Sequence, residues 1–131
     1  MGKPSRKKEN HGPNRVSAQT ARIAPRKARV VVDMVRGMYV VDALRALRFT
    51  SRKSARVVEK LIESALHNME SAGGWDIDDV RVTEAYVNEG PTMRRFLPRA
   101  QGRATRIRKR TCHIHLVLDT KRGRDGNQAE A

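Results

Sequence analysis

The chain has 131 residues, of which 28 are Lys or Arg and 14 are Asp or Glu, giving a formal net charge of +14. That length buries one core rather than two, and an excess of charge this large is usually balanced by a phosphate backbone or an anionic surface. A single cysteine, Cys112, leaves no intrachain disulfide framework and fits a reducing compartment; no apolar run is long enough to span a membrane, and the first residues read as neither a secretory signal nor a myristoylation site.

Residues 1–14 hold Gly, Pro, Asn and four basic residues with no apolar periodicity, so they read as a disordered basic arm. Val16 to Ile23 is a weak strand. From Pro25 to Arg36, Ala28, Val31, Val32 and Val35 recur at helical spacing. Pro25 is tolerated in a first turn and Gly37 supplies a stop. Arg26, Lys27, Arg29 and Arg36 lie around the remaining face. A short second helix covers about Val41 to Leu47, with Ala43, Leu44 and Leu47 inward, and Thr50 or Ser51 is placed to cap the next one.

Arg52 to Ser71 carries the clearest helical stripe: Ala55, Val58, Ile62, Ala65, Leu66 and Met69, ended by Gly73 and Gly74. Glu59 and Glu63 fall opposite it. Arg52, Lys53, Arg56 and Lys60 crowd its first half, where the helix dipole disfavours cations, a placement that makes sense on a phosphate-contacting face. Trp75 to Asp79 turns into a strand in which Val80, Val82, Glu84 and Tyr86 alternate with Arg81, Thr83, Ala85 and Val87. A later strand alternates Cys112, Ile114, Leu116 and Leu118 with His113, His115 and Val117. Residues 119–131 are polar and read as a disordered tail.

Between those strands, Gly90 to Arg110 holds eight basic residues: Arg94, Arg95, Arg99, Arg103, Arg106, Arg108, Lys109 and Arg110. No Asp or Glu occurs from Gly90 through Leu118. These eight account for more than half of the net +14. A hairpin spanning 87–112, at ~3.3 Å per strand residue, makes a finger of roughly 40 Å. Seven of the eight cations are Arg, whose planar fork suits phosphate and stacks on unpaired bases. Met93, Phe96 and Leu97 need a partner surface, and Pro91 and Pro98 discourage edge pairing. The expected fold is α+β: three helices packed on a small three-stranded antiparallel sheet with a long protruding β-hairpin. One domain covers 15–118.

Catalytic machinery is not expected. His113 and His115 point to one side of a strand, but a third metal ligand is missing. Asp76, Asp78 and Asp79 lack the EF-hand spacing and its closing Glu. There is no phosphate-binding loop, no dinucleotide fingerprint and no nucleophile constellation. The reading is no enzyme, no cofactor and no metal.

The segment NEGPTMRRFLPRAQGRATRIRKRTCHIHLVL resembles the hairpin of the universal large-subunit ribosomal protein twenty-two family in its bacterial form. APRKARVVVDMVRG and SALHNMESAGGWDIDDVRVTEAYV are similar to that family's first helix and its helix-to-strand passage. The resemblance runs from about Val16 to Leu118. It implies a cytoplasmic, ribosomal protein that binds large-subunit rRNA, supports assembly, and lines the nascent-peptide exit tunnel with its hairpin.

The rRNA-binding residues implied are Arg26, Lys27, Arg52, Lys53, Arg94, Arg95, Arg99, Arg103, Arg106, Arg108, Lys109 and Arg110. The implied tunnel-facing tip is Met93, Arg94, Arg95, Phe96, Leu97, Pro98 and Arg99; changes at the family's tip can alter macrolide sensitivity, an effect expected here at Met93 to Arg95. Implied partners are rRNA, neighbouring large-subunit proteins including protein four at the tunnel constriction, and the nascent peptide, with no membrane and no homo-oligomer. Ala24 departs from the Ser that commonly caps the first helix, and Cys112 and His115 from the usual Ser and Thr. Residue chemistry alone leaves one alternative open, a basic β-arm that wedges into duplex DNA.

Overall fold

The computed structural model describes residues 12–120. In chain order the elements are β1 (Arg15–Ala21), α1 (Pro25–Val35), α2 (Val40–Phe49), α3 (Lys53–Ala72), β2 (Val80–Glu89), β3 (Met93–Pro98), β4 (Ala104–Lys109) and β5 (Cys112–Thr120). The last strand is the middle one. β5 pairs antiparallel with β1 on one side and β2 on the other, and β3 pairs with β4 in a separate ladder. The three helices and antiparallel strands make this an α+β fold.

Period-two alternation explains why β5 is central. Cys112, Ile114, Leu116 and Leu118 are buried on one face, while His113, His115 and Val117 are only half-buried on the other. The helices cover the apolar face, α1 over β2 and α3 over β1, with α2 against α3. Ala28, Val31, Val32 and Val35 of α1 meet Val58, Ile62, Ala65 and Met69 of α3 in a single core. Leu44 and Leu66 flank that core, partly buried.

In β2 the simple alternation fails, and the failure is informative. Val80 and Val82 are buried, but so are Ala85 and Val87, whereas Glu84 and Tyr86 are exposed. The register against β5 slips between Val82 and Glu84, leaving Thr83 as an extra residue. A one-residue bulge exchanges the two faces of a strand. Without it, Glu84 and Tyr86 would enter the core. Thr83 donates its hydroxyl to the Val117 carbonyl at 3.0 Å, which holds the bulge.

β2 is an edge strand, and an unpaired edge invites association with other chains. Here α1 and its exit cover it. Gly37 N–H donates to the Val82 carbonyl (2.8 Å) and Val82 N–H to the Met38 carbonyl (3.0 Å). Further along, Arg36 donates to the Ala85 carbonyl through Nε and Nη2, at 3.1 and 2.6 Å, and Arg29 to Val87 at 3.3 Å. Two arginines that looked like surface charge therefore dock the helix on the sheet.

Thr50 and Ser51 do not cap α3. Its N-cap position is Arg52, and no side chain caps it. Thr50 instead closes α2, its hydroxyl donating to Ala46 at 2.8 Å. Glu59, expected on the solvent side, is 15% exposed and bridges Arg48 of α2 and Arg56. Most of the expected arm and tail falls outside the described residues. Asn14 is held, however, donating to and accepting from Leu118 at 2.9 Å, and β5 continues to Thr120.

Candidate nucleic-acid interface

Six residue pairs build the β3–β4 ladder: Met93 with Lys109, Arg94 with Arg108, Arg95 with Ile107, Phe96 with Arg106, Leu97 with Thr105 and Pro98 with Ala104. Residues directly opposite share a face, so the register sorts the side chains. One face carries Arg94, Arg106 and Arg108 beside Phe96. The other carries Met93, Leu97 and Ile107 between Arg95 and Lys109. Arg94 lies directly across from Arg108, and like charges in that relation are destabilising. No carboxylate on either strand relieves them.

The chain reverses beyond Pro98. Arg99 N–H donates to the Arg103 carbonyl at 2.7 Å, and Gln101 and Gly102 both take left-handed backbone, with φ of 64° and 69°. Gly102 adopts this without strain; Gln101 does not. The geometric end of the ladder is thus Arg99 to Arg103. Met93 to Pro98, expected at the tip, form the outgoing strand, and Met93 and Arg94 sit at its root. The reason is local: Met93–Pro98 keeps an extended ladder, while the small, permissive residues that allow a turn come only at Ala100 and Gly102.

Between body and ladder lies a second irregularity. Glu89 pairs with Cys112 and Gly90 N–H donates to the Thr111 carbonyl at 3.0 Å, yet the next pair is Met93 with Lys109. Pro91 and Thr92 therefore face Arg110 alone. Pro91 has no N–H to give, and buried Thr111 donates its hydroxyl to the Pro91 carbonyl at 2.6 Å. A Cβ at Gly90 would fall 2.6 Å from that hydroxyl and 3.3 Å from Cε1 of His113. On its other edge, His113 accepts from Thr20 N–H through Nδ1 at 2.8 Å. Thr20 is itself in the left-handed region, φ 54°, at a bulge in β1. That bond requires an unprotonated Nδ1.

His115 stacks on Tyr86, with ring centroids 4.8 Å apart. The two histidines thus serve packing and a backbone bulge. Cys112 is fully buried, and burial pushes its thiol above the ordinary value, partly offset by the Arg29 guanidinium.

The remaining predicted cations gather around the β1–α1 connection. Arg26 and Lys27 occupy the first turn of α1, and Arg52 and Lys53 the start of α3, all exposed. Ala24 borders three grooves. The first is shared with Arg22, Lys27, Arg52 and Lys53. The second runs to Met93, Arg95, Arg108, Lys109 and Arg110, and the third to Arg26, Arg29, Glu89 and Arg110. The fold thus brings body and ladder cations to one neighbourhood. Arg94, Arg99, Arg103 and Arg106 are not among its residues; the last three lie toward the turn. Arg22 was not singled out in the sequence, where it stood in a weak strand with no pattern to mark it.

Residues 16–119 match the family model described as ribosomal protein L22p/L17e. Over 110 residues the chain is 52% identical to the large ribosomal subunit protein uL22 of Macrococcus caseolyticus (strain JCSC5402), covering 84% of this chain and 89% of that one. With an α+β body, a carboxylate-free cationic ladder and a family match across most of its length, the chain belongs to the ribosomal protein L22p/L17e family.

Proposed function

We propose that the protein is a structural constituent of the large subunit of the cytoplasmic ribosome, binds large-subunit rRNA, supports assembly, and lines the nascent-peptide exit tunnel with its β3–β4 hairpin. The observation that carries this is the ladder itself. Among the described residues it pairs with no other strand; it exposes Arg94, Arg106 and Arg108 on one face and carries no carboxylate of its own to neutralise them. An isolated two-stranded hairpin is marginal in water, and this one also carries like charges in register. A polyanion supplies the missing counter-charge.

In this reading Arg26, Lys27, Arg52 and Lys53 hold rRNA phosphates from the body. Arg94, Arg106 and Arg108 do so from one face of the ladder, with Arg95, Lys109 and Arg110 at its root. The face with Met93, Leu97 and Ile107 packs on apolar or stacked surface, and Arg99 to Arg103 reach furthest toward the passing peptide and a neighbouring large-subunit protein. Six residues of strand extend about 20 Å at the usual rise.

The test is sedimentation of native lysate through a sucrose gradient at high magnesium. Stoichiometric recovery with the large subunit after a moderate salt wash is expected. Recovery in the soluble or nucleoid fraction would overturn the reading.

A further inference from the structure

Helices α1 and α3 both begin at one groove of about 420 Å³, lined by Arg22, Lys27, Arg52, Lys53 and Ser54, with no carboxylate among its residues. Both helices lack the side-chain cap that usually satisfies their first amides. Ala24 precedes α1 and Arg52 precedes α3; neither makes a side-chain cap hydrogen bond, and neither first turn holds an acid. The first amides of a helix have no partner within it. At α3 these include Lys53 N–H and Ser54 N–H; at α1, where Pro25 has none, Arg26 N–H. Cations crowded against the positive end of a helix destabilise it unless an anion sits between them.

Ser54 adds an independent observation. It is 2% exposed, one of two buried polar residues among those described, and it lines the groove. The other, Thr111, spends its hydroxyl on Pro91. The Ser54 hydroxyl has no hydrogen-bond partner among the described residues. Buried polar groups nearly always have a partner, and this one lines a groove whose charged residues, Arg22, Lys27, Arg52 and Lys53, are all cationic, beside Ile23 and Ala24.

We propose that this groove is a phosphate subsite: one backbone phosphate of a bound RNA strand sits between the starts of α1 and α3, accepting from Ser54 Oγ and the Lys53 and Ser54 amides, with Arg22, Lys27 and Arg52 closing over it. The inference rests on the rRNA-binding reading and gives one phosphate a defined seat in place of a diffuse basic surface. Ala24 borders this groove and the one leading to Arg95, Arg108 and Lys109. The same strand therefore has a continuous cationic path from α3 to the root of the ladder.

The experiment is amide NMR of the full chain, titrated separately with inorganic phosphate and with a short single-stranded oligoribonucleotide. Both should shift Lys53 and Ser54 in a saturable way. Ser54→Asp should weaken both by roughly tenfold or more, the effect of losing a hydrogen bond to a charged group. A carboxylate in the first turn is favourable to the helix, but the position is 2% exposed, so Ser54→Ala, which puts no charge in a buried position, is read beside it and should also weaken both titrations several-fold. Arg45→Gln, which removes an exposed charge on α2, is the control and should change neither titration.

Shifts spread over all basic residues without saturation would overturn the subsite, as would unchanged affinity in Ser54→Asp. Response to inorganic phosphate without response to the oligoribonucleotide would overturn its assignment to an RNA backbone. Failure of the wild-type chain to bind a large-subunit rRNA fragment would remove the underlying reading. That is distinguishable from normal rRNA binding with a silent Ser54→Asp, which removes the subsite alone.

Discussion

Gly90 has almost no room for a side chain, and its neighbours explain why. The nearest atom to a new Cβ is the Thr111 hydroxyl, which is already committed to the Pro91 carbonyl. Gly90→Ala should therefore destabilise the chain by about 1–3 kcal/mol, the usual effect of overpacking. In Gly90→Ala/Thr111→Ala the closest contact is gone and only the His113 ring remains near, so the two substitutions should be less than additive in urea denaturation. Cys112 offers a second check at this scale. Its thiol is buried and its pKa raised, so the native state keeps a proton that the unfolded chain releases near pH ~8.5. The contribution is fully present below that pH and is lost as pH rises through the native value. Wild type should lose stability in mildly alkaline buffer relative to Cys112→Ala, and alkylation of the native thiol should be slow until the chain unfolds.

At the scale of elements, the partner decides which arginines matter: a backbone carbonyl on a sheet edge for one, another side chain for the other. Arg36 joins α1 to β2 through two bonds to the Ala85 carbonyl, one of them 2.6 Å, while Arg48 meets Glu59 at 3.3 Å with its own side chain 61% exposed. Arg36→Ala should cost about 1 kcal/mol and open the β2 edge. Arg48→Ala should cost a few tenths at most, as exposed pairs do. Thermal melts of the two variants, with light scattering for association, separate these outcomes. The helices were legible in the sequence because Ala28, Val31, Val32 and Val35, and later Val58, Ile62, Ala65 and Met69, repeat with the helical period. The path of β2 was not. Its bulge at Thr83 is visible only once β5 fixes the register, since nothing local distinguishes Thr83 from any other strand residue. Caps were misread for a similar reason: Thr50 has the right chemistry for the start of α3, but its hydroxyl lies within reach of Ala46.

For the whole molecule, charge is unevenly used. Arg29 and Arg36 serve the fold, whereas Arg94, Arg106 and Arg108 pair with no carboxylate among the described residues. Binding to a large-subunit rRNA fragment should weaken steeply with salt. Replacing Arg94, Arg106 and Arg108 together by Gln should reduce the log–log slope by about 2–3, at 0.7–0.9 per phosphate contact. Leu97→Ala should leave that slope unchanged. Hydrogen exchange on the free chain should show protection in α1, α3 and β5 and little in residues 90–105, with protection of those residues gained in the subunit. The cationic stretch itself was plain in the sequence, since charge needs no register to be counted. Its division into an arginine face and an apolar face was not, because that depends on which residue stands opposite which. Nor was the meeting of Arg22, Lys27, Arg52 and Lys53, brought together from two helices and a connection far apart in the chain.

The offset at Pro91 and Thr92, two residues opposite Arg110 alone, makes the ladder sensitive to parity. Strand faces repeat every two residues, so lengthening one side of this joint by an odd number of residues transposes inner and outer positions on that strand. An even number restores them. After an odd insertion of uncharged residues, Arg94 would leave the company of Arg106 and Arg108 without any change in net charge. Length variation at this joint should be tolerated in steps of two and damaging in steps of one, a rule no inventory of basic residues contains.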